Sequence, residues 1–127
     1  LAPGAYTLDV LAPGAAPVLG AALDVRGDGT TVIRLDAGTA AELELRGRDG
    51  PLASRDLEVR DAEGRRVPAS TLPFETLLQP RPWRTGADGV VTLPHLLPGR
   101  YTVRLDGREI GSFRVGHAAE RHVLRVD

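Results

Sequence analysis

Apolar and polar residues alternate over short runs along this chain, and most of the runs end in a turn that contains glycine. That pattern suits β-strands with one wet and one dry face, because side chains on a strand point alternately to opposite sides. Leu43 and Leu45 alternate with Glu42, Glu44 and Arg46. Leu57 and Val59 alternate with Asp56, Glu58 and Arg60, and Tyr101, Val103 and Leu105 with Arg100, Thr102 and Arg104. Val123 and Val126 flank Leu124 and Arg125 in a less regular final run. Gly27-Asp28-Gly29, Asp49-Gly50, Glu63-Gly64, Asp88-Gly89 and Asp106-Gly107 supply residues that tolerate positive φ. Pro3-Gly4 and Pro98-Gly99 fit turns in which proline presets φ and glycine releases it. No run of ten or more residues holds a 3.6-residue period, and Ala118-Ala119-Glu120 makes one helical turn at most. The spacing predicts strands near 5–10, 22–26, 31–36, 41–46, 56–61, 65–67, 90–93, 100–105, 109–115 and 121–126. Short strands at this spacing imply an all-β sandwich or barrel.

The chain also resembles itself. Leu1, Pro3, Gly4, Tyr6 and Thr7 recur in the same order and spacing as Leu96, Pro98, Gly99, Tyr101 and Thr102. Further on, Val32-Ile33-Arg34-Leu35-Asp36 matches Val123-Leu124-Arg125-Val126-Asp127. About four extra residues fall in the Ala/Pro/Gly-rich stretch 12–20 of the first copy. Self-similarity at this scale marks repeated structural units. The expectation is that residues 1–36 are the C-terminal part of a preceding sandwich repeat, or extra strands of the same domain, and that 37–127 form one complete repeat. The chain holds no Met, so Leu1 reads as the first residue of an excised or processed piece.

Composition narrows the chemistry. There is no Cys, which excludes disulfides and thiol nucleophiles, and no Asn to accept an N-glycan. There is no Lys either, so Schiff-base chemistry is excluded. The net charge is −1, with no block of either sign, which argues against nucleic acid and anionic membrane as partners. No apolar run approaches a bilayer span, so no membrane insertion is expected. Arginine as the sole cation, with abundant Ala, Gly and Pro, points to a GC-rich bacterial genome.

The segment 68–85 departs from the strand pattern. It holds four of the ten prolines, the only Trp and one of the two Phe. Phe74 and Trp83, with Arg81 and Arg84 beside them, are the candidate binding residues for a protein or glycan ligand, because aromatics displayed on a long loop stack on sugars or anchor partners. The competing reading folds Leu72, Phe74, Leu77, Leu78 and Trp83 back as a lid over one end of the sandwich. Arg26-Gly27-Asp28 spells an integrin-type tripeptide, but also a plain hairpin turn. His117 and His122 flank Glu120, but a zinc site needs three or four convergent ligands, so His95, His117 and His122 read as solvated surface side chains. Asp24 with Asp28, and Asp56, Glu58 and Asp61, read as solvated carboxylates. Ser54, Ser70 and Ser112 stand in no nucleophile elbow. No catalytic residue, metal or cofactor is expected.

Two stretches carry a family resemblance. Asp49-Gly50-Pro51-Leu52-Ala53, Leu57-Glu58-Val59-Arg60-Asp61 and Glu63-Gly64-Arg65-Arg66-Val67 resemble the first half of a carboxypeptidase regulatory-like domain. Thr85 to Leu93, followed by Leu97-Pro98-Gly99-Arg100-Tyr101-Thr102-Val103, resembles the second half. Collagen-adhesin B-type domains share the pattern. The resemblance implies a transthyretin-like (prealbumin-like) Greek-key β-sandwich, and a structural or spacer module of a secreted or surface-bound bacterial protein, with neighbouring repeats of the same polypeptide as its partners. The Lys-based cross-link of adhesin domains cannot form in a chain without Lys, and the C-terminal Tyr-Arg-Gly-Ser of transthyretin-like hydrolases is absent.

Overall fold

Strand pairing divides the chain into a sandwich body and an N-terminal hairpin. The computed structural model describes residues 2–27, 29–69 and 81–126, and among these there is no helix. The strands are β1 (Gly4–Val10), β2 (Val18–Val25), β3 (Thr39–Gly47), β4 (Gly50–Pro51), β5 (Asp56–Arg60), β6 (Trp83–Arg84), β7 (Val90–Leu96), β8 (Gly99–Leu105), β9 (Arg108–Val115) and β10 (Glu120–Arg125).

The body has two layers. In one, β3 is central: β10 runs parallel to it on one side, and β7 and the short β4 pair antiparallel on the other. The second layer has the order β6-β5-β8-β9, all antiparallel. The chain passes repeatedly between layers, from β4 to β5, β6 to β7, β7 to β8 and β9 to β10, which is Greek-key connectivity. Alternation then builds the core. Ala41, Leu43 and Leu45 of β3 face Leu57 and Val59 of β5 and Tyr101 and Val103 of β8, with Leu43, Leu45, Val59 and Val103 wholly enclosed. Phe113 stacks on Tyr101, its ring centroid 5.5 Å away.

The outward residues of the same strands form charged ladders. Arg121 pairs with Glu42 at 2.8 Å across β10 and β3, and Arg84 with Asp56 at 3.1 Å across β6 and β5. Two positions accept only glycine. Gly89 has φ +77°, and a Cβ there would lie 2.8 Å from the Leu45 carbonyl oxygen. Gly38, at φ +70°, would put a Cβ 2.7 Å from the Leu96 carbonyl oxygen.

The structure departs from the sequence-based strands at several places, and the two-residue strands β4 and β6 were not among those expected. Residues 31–36 form no strand, and 65–67 contribute a single bridge between Arg60 and Arg66. β2 starts at Val18, earlier than expected. β7 runs through Pro94 to Leu96; it is an edge strand with an irregular register there, the setting in which a missing N–H is tolerated.

The hairpin β1–β2 is a sheet of its own, and it copies β8–β9. Gly4 pairs with Val25 as Gly99 pairs with Val115, and Tyr6 with Leu23 as Tyr101 with Phe113. The register slips after Leu8 in the first hairpin and after Val103, its counterpart, in the second. Gly4 and Gly99 share a φ of 156° and 151°. The Tyr6 hydroxyl donates to the Ala2 carbonyl at 2.6 Å, and the Tyr101 hydroxyl to the Leu97 carbonyl at 2.7 Å.

Candidate functional site

Of the loop residues singled out from sequence, Trp83, Arg81 and Arg84 lie at the outer edge of the β6-β5-β8-β9 sheet, and Phe74 lies outside the described residues. Trp83 pairs with Leu57, packs against the core, and donates its indole N–H to the Val67 carbonyl at 3.0 Å. Arg81 is exposed, and Arg84 reaches Asp56 with both side chains more than half exposed. Sequence reading passed over Thr85, which is 2% exposed. Its hydroxyl donates to the Leu52 carbonyl at 2.7 Å and accepts the Arg55 N–H at 2.9 Å, tying the end of the loop to the β4–β5 turn. Phe74 aside, these residues are held to the sandwich edge by hydrogen bonds, packing or ion pairs.

Among the described residues the histidines and carboxylates gather into no common site. The His95 ring meets the Ala37 carbonyl through Nδ1 at 2.8 Å, which makes that nitrogen the donor. His117 is exposed. His122, expected to be solvated, leans instead on the Phe113 ring at 5.2 Å, with Nε2 3.9 Å from the Glu120 carboxylate. No group of three or more metal-ligating side chains comes together among the described residues. Glu58 is held by Arg60 at 2.8 Å, while Asp61 accepts the backbone N–H groups of Glu63 and Arg65 and so closes its own turn. Asp24 pairs with Arg26 at 2.8 Å, whereas Asp28 and Ser70 lie outside the described residues. Ser112 accepts from Arg100 at 3.3 Å, and Ser54 sits in a turn at φ 53°. Burial, reinforced by Asp61 and Glu63, pushes the Tyr101 phenol above its ordinary value. Its proton is committed to Leu97, so it is not offered to a substrate. The carboxylates of Asp24, Asp56, Glu58 and Asp61 and the hydroxyls of Thr85, Tyr101 and Ser112 are thus occupied in capping, pairing or hydrogen bonding.

The best-defined concavity is a groove of about 370 Å³ between the hairpin and the body, with Pro17 and Leu19 on one wall and Asp61, Arg65, Leu97 and Tyr101 on the other. The junction around it is closely built. Ala16, 1% exposed and inside the stretch that is longer in the first copy, donates its N–H to the Asp36 carbonyl at 2.7 Å. The Arg65 guanidinium lies over Gly20 so closely that a Cβ there would be 2.5 Å from Nε. The Asp36 carboxylate accepts the Gly38 N–H at 2.7 Å, and His95 holds the intervening Ala37.

One surface is left uncovered. Described residues 29–37 are all exposed, with Val32 at 80%, Ile33 at 39% and Leu35 at 41%. The inward face of the hairpin (Tyr6, Leu8, Val10, Leu23 and Val25) is half-buried, while its counterparts Tyr101, Val103, Leu105, Phe113 and Val115 are all buried. The signal for this surface was in the sequence, as the repeat itself.

No family model and no curated protein matches the chain. Among solved structures it is similar to the major pilin subunit BcpA of Bacillus cereus, at 14% identity and TM-score 0.49 over 68% of this chain and 28% of that one. It is similar to the pilus 2b backbone protein of group B streptococcus at 11% identity and TM-score 0.47, over 87% of this chain and 47% of that one. With the Bacillus anthracis TIE protein it shares 16% identity at TM-score 0.48, over 98% of this chain and 25% of that one. The chain therefore spans less than half the length of each of these proteins, and the sandwich assignment stands on its own strand pairing.

Proposed function

We propose that this chain is a non-catalytic structural module of a larger bacterial secreted or surface protein, in which β-sandwich units follow one another as spacers. In this reading residues 1–36 belong to the unit before and 37–127 form one whole unit. The observation that carries it is the duplicated hairpin: β1–β2 repeats β8–β9 in register, in the place of its slip, in glycine φ and in the tyrosine hydrogen bond. The junction agrees with it, because the Arg65 guanidinium of the body lies against Gly20 of the hairpin, and His95 holds Ala37, the first residue after the hairpin's unit. The resemblance of residues 48–105 to carboxypeptidase regulatory-like and collagen-adhesin B-type domains agrees with it, as does the separate engagement of the acids and hydroxyls.

Small-angle scattering on the longer natural polypeptide tests the proposal. Units joined in this way give the profile of a stiff rod of similar beads. A collapsed globule, or a hydrolytic activity retained by the isolated chain, would overturn it.

A further inference from the structure

We infer that the hairpin β1–β2 and residues 31–36 form an acceptor for one β-strand of the β3 type, taken up parallel to residues 32–36 with Ile33 opposite an apolar residue. The inference rests on the repeat reading above and adds the occupant, its direction and its register.

The body shows what the missing partner looks like. There the segment matching 32–36 is β10, and it adds parallel to β3 with Leu124 opposite Leu45 and Arg125 opposite Arg46. The Val126 N–H continues the ladder to the Arg46 carbonyl at 2.8 Å. With that partner in place Leu124 is 9% exposed, whereas Ile33 at the equivalent position is 39% exposed. Val123 points outward and is 48% exposed, so the exposure of its counterpart Val32 needs no occupant, whereas that of Ile33 does. The occupant is not β3 of a second folded copy, because β3 is already paired along both sides, by β10 and by β7. It is therefore a strand with the Ala-x-Leu-x-Leu alternation of Ala41, Leu43 and Leu45, belonging to the same repeat unit as residues 1–36, as β3 and β10 belong to one unit in the body. Addition of an extended strand to open backbone supplies affinity through main-chain hydrogen bonds, and alternate side chains supply the register.

A blocked peptide of residues 38–48, titrated onto the full chain and followed by amide NMR and hydrogen exchange, is the test. Expected are protection at Val32–Leu35 and shifts at Tyr6, Leu8 and Leu23. A spin label on the N-terminal end of the peptide should broaden residues near Gly29 rather than near Leu35, as a parallel strand requires. Ile33→Asp in the chain, or Leu45→Asp in the peptide, should weaken binding at least about tenfold, since each buries an unpaired carboxylate. No binding, binding at the β7 or β10 edge of the body, or broadening near Leu35 overturns the inference. Failure of the spacer reading shows elsewhere, in scattering. A rod without peptide capture overturns this inference alone, and capture without a rod overturns the spacer reading alone.

Discussion

The two hairpins of this chain have the same design and different surroundings. β1–β2 and β8–β9 share their register, their slip, the positive-φ glycine two residues before the tyrosine and the bond from that tyrosine to the carbonyl four residues back. Yet Tyr101, Val103 and Phe113 are 7%, 0% and 5% exposed beneath the β3 layer, while Tyr6, Leu8 and Leu23 are only half covered. The comparison separates two levels of folding. Turn residues and alternation suffice to close a hairpin in a given register. Whether the residues after it become a strand depends on a partner far away in sequence. Val123-Leu124-Arg125 pairs with β3, while Val32-Ile33-Arg34, nearly the same tripeptide, pairs with no described strand.

The sharpest way to break the comparison is to truncate the matching residue in each copy. Leu124→Ala should destabilise the body by about 3 kcal/mol, as a leucine removed from a packed site. Ile33→Ala should change stability by no more than about 0.5 kcal/mol, as expected for exposed positions. Urea denaturation measures both, and equal losses would mean that 32–36 is covered after all. Trp83→Ala comes next, at about 2 to 3 kcal/mol. Its ring packs on the core and its N–H holds Val67, although part of the side chain remains in solvent. No loss of melting temperature in that variant would free Trp83 for ligand binding and weaken the spacer reading.

These sites also show how far the sequence could be read. The strands around Leu43, Leu57 and Val103 were legible, because period-two alternation is a local signal. β4 and β6 were not: each is only two residues long, β4 being the return of a tight turn in which Gly47 pairs with Gly50, and β6 existing only through the distant pairing of Leu57 with Trp83. Prolines around Trp83 marked the segment as a loop and hid its return to the sheet. The strand expected at 31–36 was inferred from its likeness to 121–126, a likeness of residues but not of neighbours. His95 holding Ala37, 58 positions away, leaves no local trace at all. The 68–85 loop stands out in sequence because it is irregular, whereas the uncovered surface at 32–35 does not, because its residues look like those of an ordinary strand.

A smaller effect compares the two tyrosines. Tyr101→Phe leaves the Leu97 carbonyl without its partner in a part-buried site and should cost about 1 kcal/mol. Tyr6→Phe removes the same bond where water can replace it and should cost about 0.3 kcal/mol or less. Thermal unfolding of the two variants side by side reads the difference. If the order were reversed, the half-covered hairpin would be the better packed of the two.

The smallest expected effect is alkaline, and this composition makes it unusually clean. With no Lys and no Cys, tyrosine is the only residue type in this chain whose side chain ordinarily titrates between neutral pH and the arginine range. Burial raises the Tyr101 phenol above its ordinary 10.0, and the nearby Asp61 and Glu63 carboxylates add to it, so the folded state holds this proton longer than the unfolded chain does. Below pH 10 both states keep the proton and the contribution to stability is complete. As pH rises past 10 the unfolded chain ionises first and binds fewer protons, so stability falls with pH until the folded phenol ionises too. Denaturant midpoints taken from pH 9 to 12 should therefore decline for the parent and stay flatter for Tyr101→Phe. An equal decline in both would mean that the alkaline loss does not come from the Tyr101 phenol, and burial of that hairpin would then confer no sensitivity to base.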